Sequence, residues 1–412
     1  MRRLIERCAG LDVHRDTVAA CVRVPGDGGE RCQEVRTFGT TTTQLEALRE
    51  WLVGLGVTLV GMESTGIYWR PVFAQLEDHV ECWLLNAEHL HNVPGRKTDV
   101  ADSVWICELT EHGLVRPSFV PPKPIRALRD LTRYRTVVVK ERGRESQRLH
   151  KVLEDAGIKL SSVASKVLTA SGRDMIEALV EGTRDPEVLA EMARGRMRAK
   201  IPQLKEALNG RFGPEHGLVA ARMLARIDHA EEVITELSAQ TREAIAPWEH
   251  HITLLMTIPG VGRRIAEVLI AEIGPDMSRF RTSAHLASWA GMCPGNNESA
   301  GKHRSGRTRK GSKWLREALV EAAHAAARSK GTYLSAQYAR LRGRRGPAKA
   351  AVAVGHSILV IAYHLLSKNQ DYSDLGADYF VARQSKETYK NRLVRQLERM
   401  GHTVTLEPAP TA

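Results

Sequence analysis

Four carboxylates in the first hundred or so residues stand where their charge or spacing calls for a purpose. Asp12 interrupts the apolar run GLDV, and Glu63 interrupts VGMES. Asp99 and Asp102 lie in KTDVADS, and a three-residue spacing puts both on one face of a helix. Strand-end carboxylates converging with a helix-borne pair are a usual way to hold Mg²⁺ at a phosphodiester. Four like charges held close repel one another, so such a cluster is stable only with cations bound. Each residue also has a plainer reading, as an exposed charge or a helix cap, and Asp99 can cap its own helix. Arg96 and Lys97, just before that helix, can pair with a nucleic-acid phosphate or serve as ordinary surface charges.

A second concentration of polar groups lies in CPGNNESAGKHRSGRTRKG, Cys293 to Gly311, between the apolar run HLASWAG and the helical pattern KWLREALVEAAHAAA. It packs Lys302, Arg304, Arg307, Arg309 and Lys310 close together, and from the residues alone it is a phosphate-binding loop, an active site or a solvated connector. A third candidate is TIPGVGRRIAEVLIAEIG. There Gly260 and Gly262 permit a sharp turn between two helices and expose N–H groups where a phosphate can sit, with Arg263 directly after. That is the pattern of a helix-hairpin-helix; a plain helical hairpin without a ligand is the alternative.

The elements that must position these residues follow from periodicity. From residue 8 to about 120 the order is strand–strand–strand–helix–strand–helix–strand–helix: CAGLDVH, TVAACVRV, EVRTFGT, QLEALREWLVGLG, VTLVGME, YWRPVFAQLED, ECWLLN and TDVADSVWICELTEHG. This implies a mixed α/β domain with a helix-covered sheet, residues 1–120. Proline-rich SFVPPKP marks its end. Residues 121–250 read as a charged helical region. In it a long helix carries Arg and Lys throughout its polar face, and Met223, Ile227, Ala230, Ile234 and Leu237 form a coiled-coil-like seam. Residues 251–370 read as a mostly helical domain containing the glycine turn and the basic loop, and residues 371–412 as a short helix with a loose tail. The fold class is therefore α/β followed by all-α.

Composition sets the class of partner. A hydrophobic fraction of 42% excludes wholesale disorder, and a net charge of +12 favours a polyanion, nucleic acid before an acidic membrane. Six scattered cysteines without a CxxC pair argue against zinc and against a disulfide framework, which suits a reducing cytoplasm. MRRLIERCAGLDV has no apolar signal-peptide core, and the apolar stretch Ala350–Leu366, shorter than the ~20 residues a bilayer needs, reads as a buried helix rather than a membrane span. His356 and His364 within it read as core residues.

Taken in order, GLDVHRDT, GMESTGIYW and GRKTDVADS resemble the RuvC-type (RNase H-like) domain of the DEDD transposases of bacterial insertion sequences. The stretch from TIPGVGRRIAEVLIAEIG to RSGRTRKG resembles the C-terminal transposase domain of the same insertion-sequence one-hundred-ten family. The resemblance implies a DNA recombinase that binds Mg²⁺ at Asp12, Glu63, Asp99 and Asp102. It implies a serine nucleophile in a Glu-Ser-Gly-like loop, aligned here with Glu298-Ser299-Ala300-Gly301, and a covalent phosphoserine intermediate. Ala300 departs from the commoner Gly, and Ser305, before Gly306, is an alternative nucleophile. Also implied are donor and target DNA as substrates, a structured non-coding bridge RNA from the element as guide, and a homo-oligomer, dimer or tetramer, with a composite active site. Two rivals stay open: a metal-dependent nuclease like a junction resolvase, and an inactive nucleic-acid-binding remnant.

Overall fold

The computed structural model describes residues 4–26, 30–63, 66–86, 90, 101–294, 297–299, 302–306, 308, 311–382 and 386–407. The chain divides into two compact units, Met1–Val120 and Pro121–Ala412.

The first unit is built on a five-stranded sheet of order β3-β2-β1-β4-β5. The strands are β1 (Cys8–Val13), β2 (Thr17–Pro25), β3 (Arg31–Gly39), β4 (Leu59–Glu63) and β5 (Glu81–Leu85). β1, β2 and β3 form an antiparallel meander, whereas β4 runs parallel to both β1 and β5. Two helices, α1 (Thr42–Gly54) and α2 (Trp69–Leu76), cover one face. Side chains alternate across a strand. Ala9, Leu11 and Val13 of β1 therefore join Val60 and Met62 of β4 in a core with Leu45, Leu48, Leu52, Val72 and Leu76.

The opposite face carries α3 (Ala101–Glu111). Here the strands present Cys8, Gly10 and Asp12, and Gly61 and Glu63. The helix lies so close that a Cβ on Gly10 would sit 2.2 Å from the Ser103 carbonyl oxygen and 2.3 Å from the Cys107 nitrogen. A Cβ on Gly61 would meet the Thr110 hydroxyl at 2.4 Å. The backbone N–H groups of Leu4 and Ile5, just before β1, both donate to the Glu111 carbonyl at 3.0 and 3.1 Å. Thus α3 runs antiparallel to β1, with its N-terminal end toward the carboxyl end of that strand. Glu111, 1% exposed, anchors the other end through Arg23 (3.1 Å) and Arg31 (2.8 Å).

Three of the six scattered cysteines also meet under α3. Cys8, Cys21 and Cys107 are fully buried together, with the Cys8 and Cys107 sulfurs 3.8 Å apart. Hydrogen bonds to the other two thiols and burial push the Cys107 thiol far up.

The second unit starts with α4 (Lys123–Asp155), passes through the short helices α5 (Leu160–Val163), α6 (Ala170–Glu181), α7 (Pro186–Glu191) and α8 (Ile201–Ala207), and returns along α9 (Pro214–Ile245). α4 and α9 are antiparallel, since Arg142 pairs with Glu231 (3.5 Å), Glu145 with Arg226 (3.7 Å) and Asp155 with His216 (3.2 Å). The buried line of α9 runs Gly217, Ala220, Leu224, Ile227, Ala230, Thr241, Ile245. Ile227 and Ala230 lie on it, but Met223, Ile234 and Leu237 are only half-buried, because the line drifts around a straight 3.6-residue helix.

A helical remainder follows: α10 (Glu249–Met256), α11 (Arg263–Ile273), α12 (Ser283–Trp289), α13 (Lys313–Ala326), α14 (Tyr333–Arg345), α15 (Pro347–Lys368), α16 (Tyr379–Ala382) and α17 (Lys386–Arg399). α15, at 22 residues, is long enough for a bilayer, so its length does not separate a core helix from a span. It packs against α12, α13 and α14. His364 on α15 is exposed and His356 half-buried, so neither histidine belongs to the core as the sequence suggested; both fall on the side facing an open groove with Tyr333 and Leu375.

Because backbone atoms occupy the space a methyl would need, Gly10→Ala is expected to destabilise the first unit by about 3 kcal/mol, the upper end for overpacking. Gly54→Ala, where a Cβ meets nothing within 4 Å, is expected to be nearly neutral. Urea unfolding followed by circular dichroism checks the difference.

Candidate functional site

β1 and β4 are paired in parallel from Cys8–Leu59 to Leu11–Met62, so Asp12 and Glu63 are the next lateral neighbours, at the carboxyl ends of adjacent strands. Strand spacing sets their backbones roughly 5 Å apart. Both belong to the face that α3 covers, and α3 brings Asp102 in its first turn to that same end of the sheet. Asp12, Glu63 and Asp102 thus lie toward the same end of the sheet, on one parallel strand pair and one helix. Asp99, Arg96 and Lys97 lie outside the described residues.

The Asp12 side chain is 13% exposed and sits 3.1 Å from Nε2 of His14, which the hairpin between β1 and β2 turns back over it. Among the described residues no group of three or more His, Cys, Asp or Glu side chains is drawn together closely enough to grip a metal ion. The donor chemistry nevertheless suits a hard divalent cation: every predicted ligand is a carboxylate oxygen, the set Mg²⁺ prefers.

In the second unit the basic stretch forms a small antiparallel hairpin rather than an irregular connector. Its strands are β6 (Asn297–Ser299) and β7 (Lys302–Ser305), with Ser299 opposite Lys302 and Asn297 opposite Ser305. Arg304 lies on β7, while Arg307, Arg309 and Lys310 lie outside the described residues. A bridge between Pro294 and Thr308 extends the pairing toward the base. There Gly311 packs against Ala290 so tightly that a Cβ would stand 2.2 Å from its carbonyl oxygen.

The glycine turn between α10 and α11 is present, but its groups are used differently from the sequence expectation. Gly260, at φ +88°, faces α13, where a Cβ would lie 2.4 Å from the Ala322 carbonyl oxygen. Arg263 grips both oxygens of Glu249 (2.6 and 2.8 Å) and bonds Glu267 at 3.0 Å. That guanidinium holds the Glu249 carboxyl below the usual carboxylate range. Arg264 pairs with Glu321. Gly262, which caps α11, has open space where a side chain would stand.

Sequence reasoning also missed a buried charge network. Glu267 and Glu272 lie on α11 at 3% and 1% exposure. Arg135 of α4 bonds Glu267 at 2.7 Å, and Arg133 bonds both oxygens of Glu272 at 2.7 and 2.9 Å. The long basic helix therefore does not spend all its cations on solvent or nucleic acid; these two neutralise carboxylates inside the unit. A signal existed, for both acids interrupt the apolar run IAEVLIAEI as Asp12 and Glu63 interrupt theirs.

Comparison with known proteins accounts for both halves. A DEDD-type transposase family model named for IS110 matches residues 9–158, and a model described as the transposase IS116/IS110/IS902 family matches residues 252–339. The "Putative transposase y4pF/y4sB" of Sinorhizobium fredii is 26% identical over 333 residues, 76% of this chain and 74% of that one. The "Pilin gene-inverting protein" of Moraxella bovis is 31% identical over 154 residues, 35% of this chain and 47% of its own length. The "Mini-circle putative transposase for IS117" of Streptomyces coelicolor is 32% identical over 118 residues, covering 28% and 27% of the two chains. These likenesses set the chain among the transposases. It belongs to the IS110 family of DEDD transposases.

The two glycines of the turn separate packing from ligand contact. Gly260→Ala is expected to cost several kcal/mol, from the contact with α13 and the positive φ together. Gly262→Ala is expected to stay within about 1 kcal/mol, the scale of a changed helix cap. Thermal unfolding of both variants measures the contrast.

Proposed function

We propose that the chain is the transposase of an insertion sequence that cuts and rejoins DNA through a covalent phosphoserine intermediate on Ser299, guided by a structured non-coding RNA of the element. The strand order 3-2-1-4-5, with an antiparallel meander joined to a parallel pair, supports an RNase H-like reading of the first unit. Its carboxylates Asp12, Glu63 and Asp102, with Asp99, would hold Mg²⁺, which would supply positive charge to a bound phosphodiester.

The observation that carries the proposal is the β6–β7 pairing, which fixes Ser299 opposite a lysine at the end of a strand. In the reaction the Ser299 hydroxyl oxygen attacks phosphorus and gives up its proton to a base. The bond to the DNA bridging oxygen breaks, that oxygen leaves with a proton as a free hydroxyl, and a phosphoserine ester remains. One phosphodiester is exchanged for another, so the strand can be resealed by the reverse step without ATP. Lys302 and Arg304, with Arg307, Arg309 and Lys310, supply cations for the charge that builds on the phosphoryl oxygens. The relative named a pilin gene-inverting protein supports rejoining over simple hydrolysis, since inversion requires it.

The test uses full-length protein, the element's non-coding RNA, Mg²⁺ and labelled duplex spanning the element's junction. A denaturant-resistant protein–DNA adduct on Ser299 is expected, absent in Ser299→Ala. An adduct on Ser305 would move the nucleophile and keep the mechanism. Cleaved ends without adduct, unchanged in Ser299→Ala, would replace it with a resolvase-like nuclease.

A further inference from the structure

The base of the β6–β7 hairpin is held from outside by a group that no part of the proposed chemistry requires. Ser312, the residue after Gly311, caps α13 by accepting from the Leu315 N–H at 3.3 Å. Its hydroxyl proton goes elsewhere, to Oε2 of Glu272 at 2.9 Å. Glu272 is 1% exposed, and a buried carboxylate of this kind needs compensation. It receives it from the bidentate Arg133. Arg129 completes the junction by donating to the Ala271 and Glu272 carbonyls at 3.1 and 2.7 Å.

The other side of the hairpin base is fastened too. Arg316, one turn into α13, donates to the Gly291 carbonyl at 2.6 Å. The Arg133 guanidinium also lies 5.8 Å from the ring centre of Trp314, in the first turn of α13. The Ser312 end of the segment is therefore tied to the point where α4, α11 and α13 meet, and the Gly291 end to Arg316 of α13. A structural ion pair alone could be satisfied anywhere along α11. This one is spent at the residue where the hairpin returns to helix.

We infer that Glu272 is a positioning residue: its bond to Ser312 fixes the base of the β6–β7 hairpin and so the place of Ser299, and through Arg129 and Arg133 it makes the hairpin move as one body with α4. The inference rests on the reading of Ser299 as nucleophile for what is positioned, but the clamp itself is a property of the fold. Its consequence is that any nucleic acid docked along α4 shares a rigid frame with the attacking group.

The test replaces Ser312 by Asp in the full chain. Asp is as good a helix cap as Ser, so α13 keeps its start, while its carboxylate is set against that of Glu272 and the clamp opens. Combining Ser312→Asp with Glu272→Gln restores a donor at 272 and an acceptor at 312, with the charge beside Arg133 conserved. Two readouts are taken. Hydrogen exchange of backbone amides is followed over residues 293–311 against the rest of α13 and α15. Adduct formation is timed on the junction duplex alongside the Kd for that duplex.

Ser312→Asp is expected to lose protection over 293–311 alone and to slow adduct formation about tenfold to hundredfold, the cost of a misplaced reacting group, with Kd nearly unchanged. The double variant recovers both. Unchanged exchange in Ser312→Asp would overturn the clamp whether or not any adduct forms. Increased exchange with adduct formation at the unaltered rate would overturn the positioning role. Absence of an adduct in the unaltered protein sinks the reading of Ser299 instead, and the exchange readout still decides the clamp.

Discussion

The first unit depends on a helix laid directly on bare backbone. Gly10 and Gly61 occupy adjacent parallel strands on one face, and α3 descends onto both, its backbone against Gly10 and its Thr110 and Ile106 side chains against Gly61. Any Cβ there would lift the helix, and with it Asp102, away from Asp12 and Glu63. The opposite end is fixed by a buried carboxylate, Glu111, between two arginines of the antiparallel strands. Direction follows from these constraints. The helix has to run antiparallel to β1, which delivers its acidic N-terminal turn to the end of the sheet where the strand carboxylates emerge.

The second unit uses the same devices in helical form. Gly260 lets the α10–α11 turn press on α13, and Gly311 lets the hairpin return against Ala290. The cations that hold this arrangement come from α4. Buried ion pairs recover little net stability, because both charges lose their hydration. They do penalise every arrangement that leaves one charge alone, so Arg135 with Glu267 and Arg133 with Glu272 select one seating of α11 on α4. That selectivity, more than stability, is what the proposed placing of Ser299 draws on.

Much of this was legible in the sequence for local reasons. The order of strands and helices in the first unit follows from apolar alternation broken by Gly, Pro and Thr, and it matches the observed order through α3. Asp12 and Glu63 stood out because a charge inside a short apolar strand is costly without a purpose. What could not be read depends on contacts between distant residues. Cys8 and Cys107 meet across ninety-nine positions, which no spacing rule anticipates. The roles of Gly10 and Gly61 appear only once the helix above them is placed. The arginines of α4 look alike in a periodic pattern, yet Arg129, Arg133 and Arg135 pair with carboxylates more than 130 positions away. The turn glycines are legible in the sequence, but what Gly260 faces is set by α13, far along the chain.

We propose that the carboxylates of Asp12, Glu63 and Asp102, from β1, β4 and α3, hold one cation at the end of the sheet. Soaking crystals of the full chain with Mn²⁺, which takes the same oxygen ligands as Mg²⁺, and collecting anomalous diffraction tests this directly. A single anomalous peak within coordination distance of Asp12, Glu63 and Asp102 is the predicted result. Saturating Mn²⁺ that leaves these carboxylates bare, or binds at another place in the chain, would contradict it.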